Sequence, residues 1–257
     1  MMPRLMMLGG EGVSTQIVAH ALRRRFGDFL LVVEQSRSGW EMARGRARRL
    51  GWVEVLGQVL FVQTAYRWLR FSSRSRLAEI DAEFGLDRRP VTGDVRCVRS
   101  VNSAETVRLL KEADPDLVVV NGTRILSAEV LGAIRGRFLN LHAGITPAFR
   151  GGHGGYWALA AGRPELAGVT VHWIDAGIDT GSVVKQGLIH PGPGDNFATY
   201  SSLQTGVGLP LLIAAIEEYF AGKLVESGLP NRNLAGSRLC FHPTLWFYLA
   251  GRLRGVK

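Results

Sequence analysis

Phe138-Leu139-Asn140-Leu141-His142-Ala143-Gly144-Ile145-Thr146-Pro147-Ala148-Phe149-Arg150-Gly151-Gly152 is the stretch around which the chain is organised. It opens as an apolar run, reads as a short buried strand, and passes through Gly144 and Pro147 into a glycine-rich loop. Side chains alternate along a strand, so Asn140 and His142 project from one side and Leu139 and Leu141 from the other. Ligands of open α/β sheets collect beyond the carboxyl ends of the strands, and a polar pair followed by a flexible loop would lie there. Taken alone, Asn-x-His on a strand reads as two satisfied polar groups at a strand end rather than as a reaction site. The rest of the chain decides between the two.

Upstream, Leu117 to Val120 is four consecutive apolar residues, the pattern of a central parallel strand. Asn121-Gly122-Thr123-Arg124-Ile125-Leu126 turns out of it, and Ser127 caps a short helix. Ser103 to Ala113 reads as a helix with Ser103 as N-cap and Glu105 in its first turn, preceded by a strand over Asp94 to Arg99. At the start, Arg4 to Leu8 reads as a strand and Gly9-Gly10-Glu11-Gly12 as a turn. A helix over Val13 to Phe26 and a strand over Phe29 to Glu34 follow, completing a βαβ unit with its right-handed crossover. The glycines of this turn do not complete the G-x-G-x-x-G fingerprint. Free amides before a helix can hold an anion, but Glu11 would repel one, and a structural tight turn accounts for the loop as well.

Downstream come a short helix over Tyr156 to Ala161 and strands over Gly168 to Ile174 and Ser182 to Ile189. Between the strands lies an acidic glycine loop, Asp175-Ala176-Gly177-Ile178-Asp179-Thr180-Gly181, and a long amphipathic helix spans Phe197 to Phe220. The expected fold is α/β: an open, mostly parallel twisted sheet with helices on both faces, plus a helical insert and a helical C-terminal tail.

The totals bound the reading. With 257 residues and 46% apolar content, the chain can build one full core, with or without an appendage. Its two cysteines, Cys97 and Cys240, show neither metal-ligand spacing nor a disulfide framework, so no metal is expected and a reducing cytoplasm is the default location. The apolar N-terminus is short, runs into glycines and lacks a cleavage-site pattern, so it reads as a strand rather than a signal peptide. The net charge of +9 is mostly arginine. No RNA-binding signature or zinc module accompanies it, so solvated helix faces are expected and nucleic acid is not.

Residues 36 to 90 interrupt the α/β rhythm. Glu41 to Leu50 reads as a basic helix. Trp52, Val55, Leu56, Val59 and Leu60 then fall at helical spacing, continued by Phe61, Val62, Tyr66, Trp68 and Leu69. Glu54 and Arg67 make the run a poor membrane span. Such a stripe packs on its own domain or on a second subunit of a homodimer, with peripheral membrane contact as the alternative. From Gly228 onward a tail carries Trp246, Phe247, Tyr248 and Leu249, then Arg252 and Arg254, and is expected to pack as a helix. The division is thus an α/β domain over 1–224 with a helical insert at about 36–90, and a C-terminal extension over 225–257.

Four stretches, in order and spacing, resemble the folate-dependent formyltransferase family. That family includes glycinamide ribonucleotide formyltransferase, methionyl-tRNA formyltransferase and the sugar N-formyltransferases. Gly122 to Ser127 is similar to its folate-binding turn. Asn140-Leu141-His142 with Pro147 and Arg150-Gly151 is similar to its signature strand and loop. Gly168 to Trp173 resembles the next strand, and Ile178-Asp179-Thr180-Gly181 the loop bearing the catalytic aspartate. The resemblance covers about residues 94 to 224, is weak over 1 to 36, and does not extend to the insert or the tail.

The resemblance implies a Rossmann-like formyltransferase fold and 10-formyltetrahydrofolate as formyl donor to the amine of a small-molecule acceptor. An amine adding to the formyl carbon creates an oxyanion, to which Asn140 and His142 could donate. Asp179 would hold the imidazole tautomer and help relay the amine's proton to the folate nitrogen. Thr123, Arg124, Ile125, Leu126, Asp175 and Ile178 would bind the folate. Gly10, Glu11, Gly12, Gly144, Arg150, Gly151 and His172 are candidates for the acceptor side, with His172 either supporting the Asp179 loop or serving as a buried structural histidine.

Departures from the family narrow the acceptor. Ala143-Gly144-Ile145-Thr146 is smaller than the residues relatives carry there, which would widen the acceptor side. Glu11 matches the purine enzyme's phosphate loop poorly, which disfavours glycinamide ribonucleotide. Neither the C-terminal β-barrel used on tRNA, for which too few residues follow 224, nor the N-terminal regulatory domain of formyltetrahydrofolate deformylase is expected. An amino sugar or a specialised metabolite is therefore expected. A 10-formyltetrahydrofolate hydrolase using water as acceptor, and a non-catalytic membrane-associated protein on the same scaffold, are the other readings.

Overall fold

Leu117 and Val119 join Met7, Leu31 and Leu139 in one apolar cluster, while Val118 and Val120 join Met6, Leu8, Val32 and Phe138 in another. The clusters lie on opposite faces of one sheet, because alternate side chains of a strand point to opposite sides. A run of β-branched residues without polar alternation requires cover on both faces, which places it at the centre of a parallel sheet. Truncating a fully buried member such as Leu139 to alanine would cost about 2–5 kcal/mol.

A computed structural model describes residues 4–224 and 236–257; residues 225–235 of the expected extension lie outside the described residues. β1 (Leu5–Gly10), α1 (Val13–Phe26) and β2 (Leu30–Glu34) form the opening βαβ unit. The insert follows as α2 (Gly39–Leu50), α3 (Trp52–Phe61), a π-helical turn (Val62–Tyr66), α4 (Arg67–Ser72) and α5 (Arg74–Phe84). The sheet resumes with β3 (Val95–Val98), α6 (Ala104–Ala113), β4 (Leu117–Asn121), α7 (Ala128–Leu131) and β5 (Arg137–His142). Then come β6 (Phe149–Gly151), α8 (Gly154–Ala160), β7 (Gly168–Trp173), β8 (Val183–Leu188), α9 (Phe197–Phe220), β9 (Arg238–Cys240) and α10 (Leu245–Leu253).

The seven-stranded sheet runs β3-β2-β1-β4-β5-β7-β8. The first five strands are parallel, and β7 and β8 extend the sheet antiparallel. The strand order reverses between β1 and β4, and such a switch point opens a crevice at the carboxyl edge. α9 begins at an Asn196–Thr199 capping box and buries Leu203, Leu209, Leu212 and Ile216. It is long and apolar enough to cross a membrane, but most of it is buried in the protein, as befits a core helix.

On the opposite face the apolar layer ends at Phe138. The next side chains of β5 on that side are Asn140 and His142, so the core gives way to polar groups where the crevice opens.

Three expectations need correcting. Gly9 and Gly10 are not a turn, for β1 runs through both; a β-carbon on Gly10 would lie 2.2 Å from the Gly122 carbonyl oxygen, so glycine there permits the close approach of two backbones. The loop after His142 is partly a strand, because β6 pairs in parallel with β9 of the tail. That ladder joins segments almost ninety residues apart in register, which no local pattern encodes (Phe149 with Arg238, Gly151 with Cys240). Finally, of the stripe Trp52, Val55, Leu56, Val59 and Leu60 only Val55 is buried. The inward face carries Val55, Gln58, Phe61 and Leu69 instead. A helix apolar on two sides does not say by periodicity which side packs.

Candidate active site

Asn140 and His142 stand on β5, opposite His172 and Thr170 of antiparallel β7. The 175–181 loop leaves β7 and brings Asp179 back over both strands. Its carboxylate is 3.4 Å from His142 Nδ1 through one oxygen and 3.5 Å from His172 Nε2 through the other. The Gly151 backbone N–H donates to the first oxygen at 2.8 Å. Asp179 adopts the left-handed conformation (φ 50°), which aspartate tolerates better than most residues.

The tautomers follow from partners that can only accept. His172 Nδ1 lies 2.7 Å from the Trp173 carbonyl oxygen and must donate to it, so Nε2 of the neutral ring accepts from the Asn140 amide nitrogen at 3.0 Å. His142 Nε2 likewise donates to the Phe149 carbonyl at 3.0 Å, leaving Nδ1 as the basic atom of the neutral ring, facing Asp179. The expectation that Asp179 sets this tautomer is corrected: the Phe149 carbonyl does so. Burial pushes the Asp179 carboxyl up, but the His172 and His142 rings in their protonated form, together with the Gly151 N–H, outweigh it and hold the group down at about 2. Burial holds the His142 imidazole below its ordinary value; the Asp179 charge opposes this and His172 adds to it. A neutral ring beside a carboxylate can accept one proton and is stabilised when it does.

These groups line one wall of a cleft of about 400 Å³. Thr123, Arg124, Ile125 and Leu126 line it, and Asp175 and Ile178 close it from the loop. All six residues expected to bind folate therefore share a cavity with Asn140, His142 and Asp179. The volume falls in the range of pockets that bury drug-sized ligands, roughly 300–1,000 Å³. The apolar Ile125, Leu126, Ile174 and Ile178 beside turn backbone and a carboxylate suit a flat, polar-edged heterocycle.

The acceptor-side candidates divide. Gly151 and His172 line the cleft; Gly10, Glu11, Gly12, Gly144 and Arg150 do not. The Glu11 carboxylate accepts the Ser36 N–H at 3.1 Å, and Gly12 is the N-cap of α1. Arg150 braces the loop, donating to the Ile178 carbonyl at 3.3 Å and to Ser237 Oγ at 2.9 Å. A β-carbon on Gly144 would lie 2.6 Å from the Phe149 carbonyl oxygen and 2.8 Å from His142 Nε2. Gly144 thus lets the His142–Phe149 bond form, and it does not widen the acceptor side.

Sequence reasoning missed three residues. Asn102 clamps the turn, donating to the Ile125 carbonyl at 2.9 Å and accepting the Ser127 N–H at 2.8 Å. Glu34, buried at the end of β2, accepts the backbone N–H groups of Val101 (2.9 Å) and Arg124 (3.0 Å) and pairs with the Arg124 guanidinium. Ser14 lines the cleft from the first turn of α1 and donates to the Asn121 side chain at 2.9 Å. A single acid closing an apolar strand was the one available signal, and it pointed to Glu34.

Residues 77–205, half of the chain, match a family model described as formyl transferase. A trifunctional purine biosynthetic protein of Drosophila melanogaster is 40% identical over 99 residues, 38% of this chain and 7% of that protein. A phosphoribosylglycinamide formyltransferase of Mycobacterium tuberculosis is 41% identical over 104 residues, 40% of this chain and 48% of that protein. The chain therefore spans less than half the length of either relative. Among solved structures, a sugar N-formyltransferase from Shewanella superposes with a TM-score of 0.56 at 12% identity, covering 92% of this chain and 76% of that one.

Proposed function

This chain belongs to the formyl transferase family, and we propose that it transfers a formyl group from 10-formyltetrahydrofolate to the amine of a small molecule, an amino sugar or specialised metabolite being the favoured class. The observation that carries this reading is the convergence of Asn140, His142, His172 and Asp179 in the same cleft as the 123–126 turn and the 175–180 loop. The donor supplies a formyl group on a nitrogen that departs once it regains a proton.

Asn140, its amide nitrogen turned to His172, has a second N–H to offer the oxygen that becomes negative as the amine adds. One such donor is worth about 10²–10³ in rate. His142 collects the amine's proton at Nδ1, where Asp179 stabilises the imidazolium, and returns it to the departing folate nitrogen. One C–N bond forms to the acceptor, one C–N bond to the folate breaks, and the proton passes from one nitrogen to the other.

Glycinamide ribonucleotide fits less well as acceptor. Gly10 is committed to β1, and the Glu11 carboxylate would repel a phosphate at that loop. The test is to incubate the protein with 10-formyltetrahydrofolate and a panel of amino sugars and other amines, reading tetrahydrofolate and formate separately. Tetrahydrofolate release that requires an amine is the expected result. Formate release without any amine would favour the hydrolase, and folate binding without turnover the non-catalytic scaffold.

A further inference from the structure

The insert and the tail build one apolar face that nothing among the described residues covers. α3, the π-helical turn and α4 run on as a single rod. Its inner side buries Val55, Gln58, Phe61 and Leu69, with the Phe61 ring 4.8 Å from Phe197 and 5.0 Å from Tyr248. Its outer side presents Val53, Leu56, Leu60, Trp68 and Phe71, among which Val53 is 72% and Trp68 65% exposed. α10 repeats the arrangement: Tyr248 and Gly251 face inward, while Trp246, Leu249 and Leu253 face out at i, i+3 and i+7, Leu253 at 91% exposure.

The two outer faces are continuous. A β-carbon on Gly57 would lie 2.3 Å from the Trp246 indole, so α10 sits flush against α3 there. α2 extends the surface with Trp40, exposed and stacked on Trp52 at 5.8 Å between ring centroids. Monomeric proteins rarely leave so many large apolar side chains together in water.

Charge selects the occupant. Arg67, Arg70, Arg252 and Arg254 are exposed along α4 and the end of α10, and Arg74 lies over the Phe71 ring at 4.5 Å. Glu41 of α2 and Glu54 of α3 are the two acidic residues on α2, α3, α4 and α10, against Arg44, Arg46, Arg48 and Arg49 on α2 alone. A second copy would set like arginine rims against each other, since the same patch faces itself across a twofold axis. Exposed tryptophans among apolar side chains, rimmed by arginine, suit the headgroup level of a negatively charged bilayer. The net charge of +9 acts in the same direction. We infer that the α2–α4 and α10 face docks on an anionic lipid surface.

The test uses the full chain with vesicles of phosphatidylcholine alone and with about one-third phosphatidylglycerol, sedimented at about 0.1 M salt, where surface charges still act over about 10 Å. The expected result is sedimentation with the anionic vesicles only, weakening as salt rises. Leu253→Glu and Trp68→Glu alter side chains that are mostly in water, so both should fold and melt like the parent. Each should weaken vesicle binding about tenfold or more, as loss of an inserted apolar side chain requires. Failure of the parent to sediment, or sedimentation that both variants leave unchanged, would overturn the inference. A dimer by light scattering that both variants dissociate, without vesicle binding, would overturn it in favour of a second copy.

Discussion

Asn140 donates its side-chain amide to Nε2 of His172 at 3.0 Å, across the β5–β7 pair, and that bond fixes which end of the amide turns toward the ring. His172 is itself held by the Trp173 carbonyl at 2.7 Å. The donor expected at the reacting oxygen is thus oriented before any ligand arrives, which is what electrostatic preorganisation requires.

Asn140→Ala, His142→Ala and Asp179→Ala should each lower turnover by roughly a hundredfold or more. Melting curves should show all three folded. His172→Ala acts through Asn140 and should cost less, about tenfold, with the loss in kcat rather than in KM. Steady-state kinetics on the four variants checks both statements; near-parental turnover in the first three would remove the assignment.

Gly144→Ala places a methyl group where the Phe149 carbonyl and His142 Nε2 already meet. Something must move, and the His142–Phe149 bond is the first contact to break. Turnover should fall about tenfold or more and stability by about 1–3 kcal/mol, the usual cost of overpacking. Gly45→Ala, in α2 with open space around it, should be neutral or stabilising by up to about 1 kcal/mol and serves as the control.

Asn102→Ala frees the 123–126 turn that lines the cleft without touching the acid–base groups. Affinity for a reduced folate should drop about tenfold, equivalent to about 1.4 kcal/mol, with kcat little changed. Calorimetric titration of the parent and the variant with a reduced folate measures it.

Stability should fall on mild acidification. Burial, then the charges of His242 and Arg46, hold His153 down to about 3; burial and then Arg46 hold His242 at about 4. Both rings stay neutral in the fold, whereas unfolded histidine protonates near 6.5. The unfolded chain therefore binds more protons below about pH 6.5, and stability is lost as pH falls from there toward the depressed folded values. Asp179 contributes its own loss only between its ordinary value of 3.8 and about 2. His153→Asn tolerates the left-handed backbone at that position (φ 61°) and removes one titrating ring. Its melting temperature should drop less than the parent's between about pH 7 and about pH 5.

The layered α/β architecture is legible in the amino-acid sequence alone, as is the sharing of one strand face by Asn140 and His142. Runs such as Leu117 to Val120 can be satisfied only between two covering layers, and the alternation of β5 puts Asn140 and His142 on one face whatever the surroundings. Capping residues fixed the helices locally: Ser103 and Ser127 accept the backbone N–H groups of Thr106 and Val130.

What depends on partners distant in the chain emerges only when the elements pack. The tautomer of His142 is set by the Phe149 carbonyl, and the clamp on the 123–126 turn comes from Asn102. The β6–β9 ladder joins the signature loop to the tail. The outward face of the insert could not be read from its sequence, because a helix with apolar residues on two sides packs whichever side meets a complementary surface. Here that surface is the ring of Phe197 and the Tyr248 side of α10, which lie well over a hundred residues downstream.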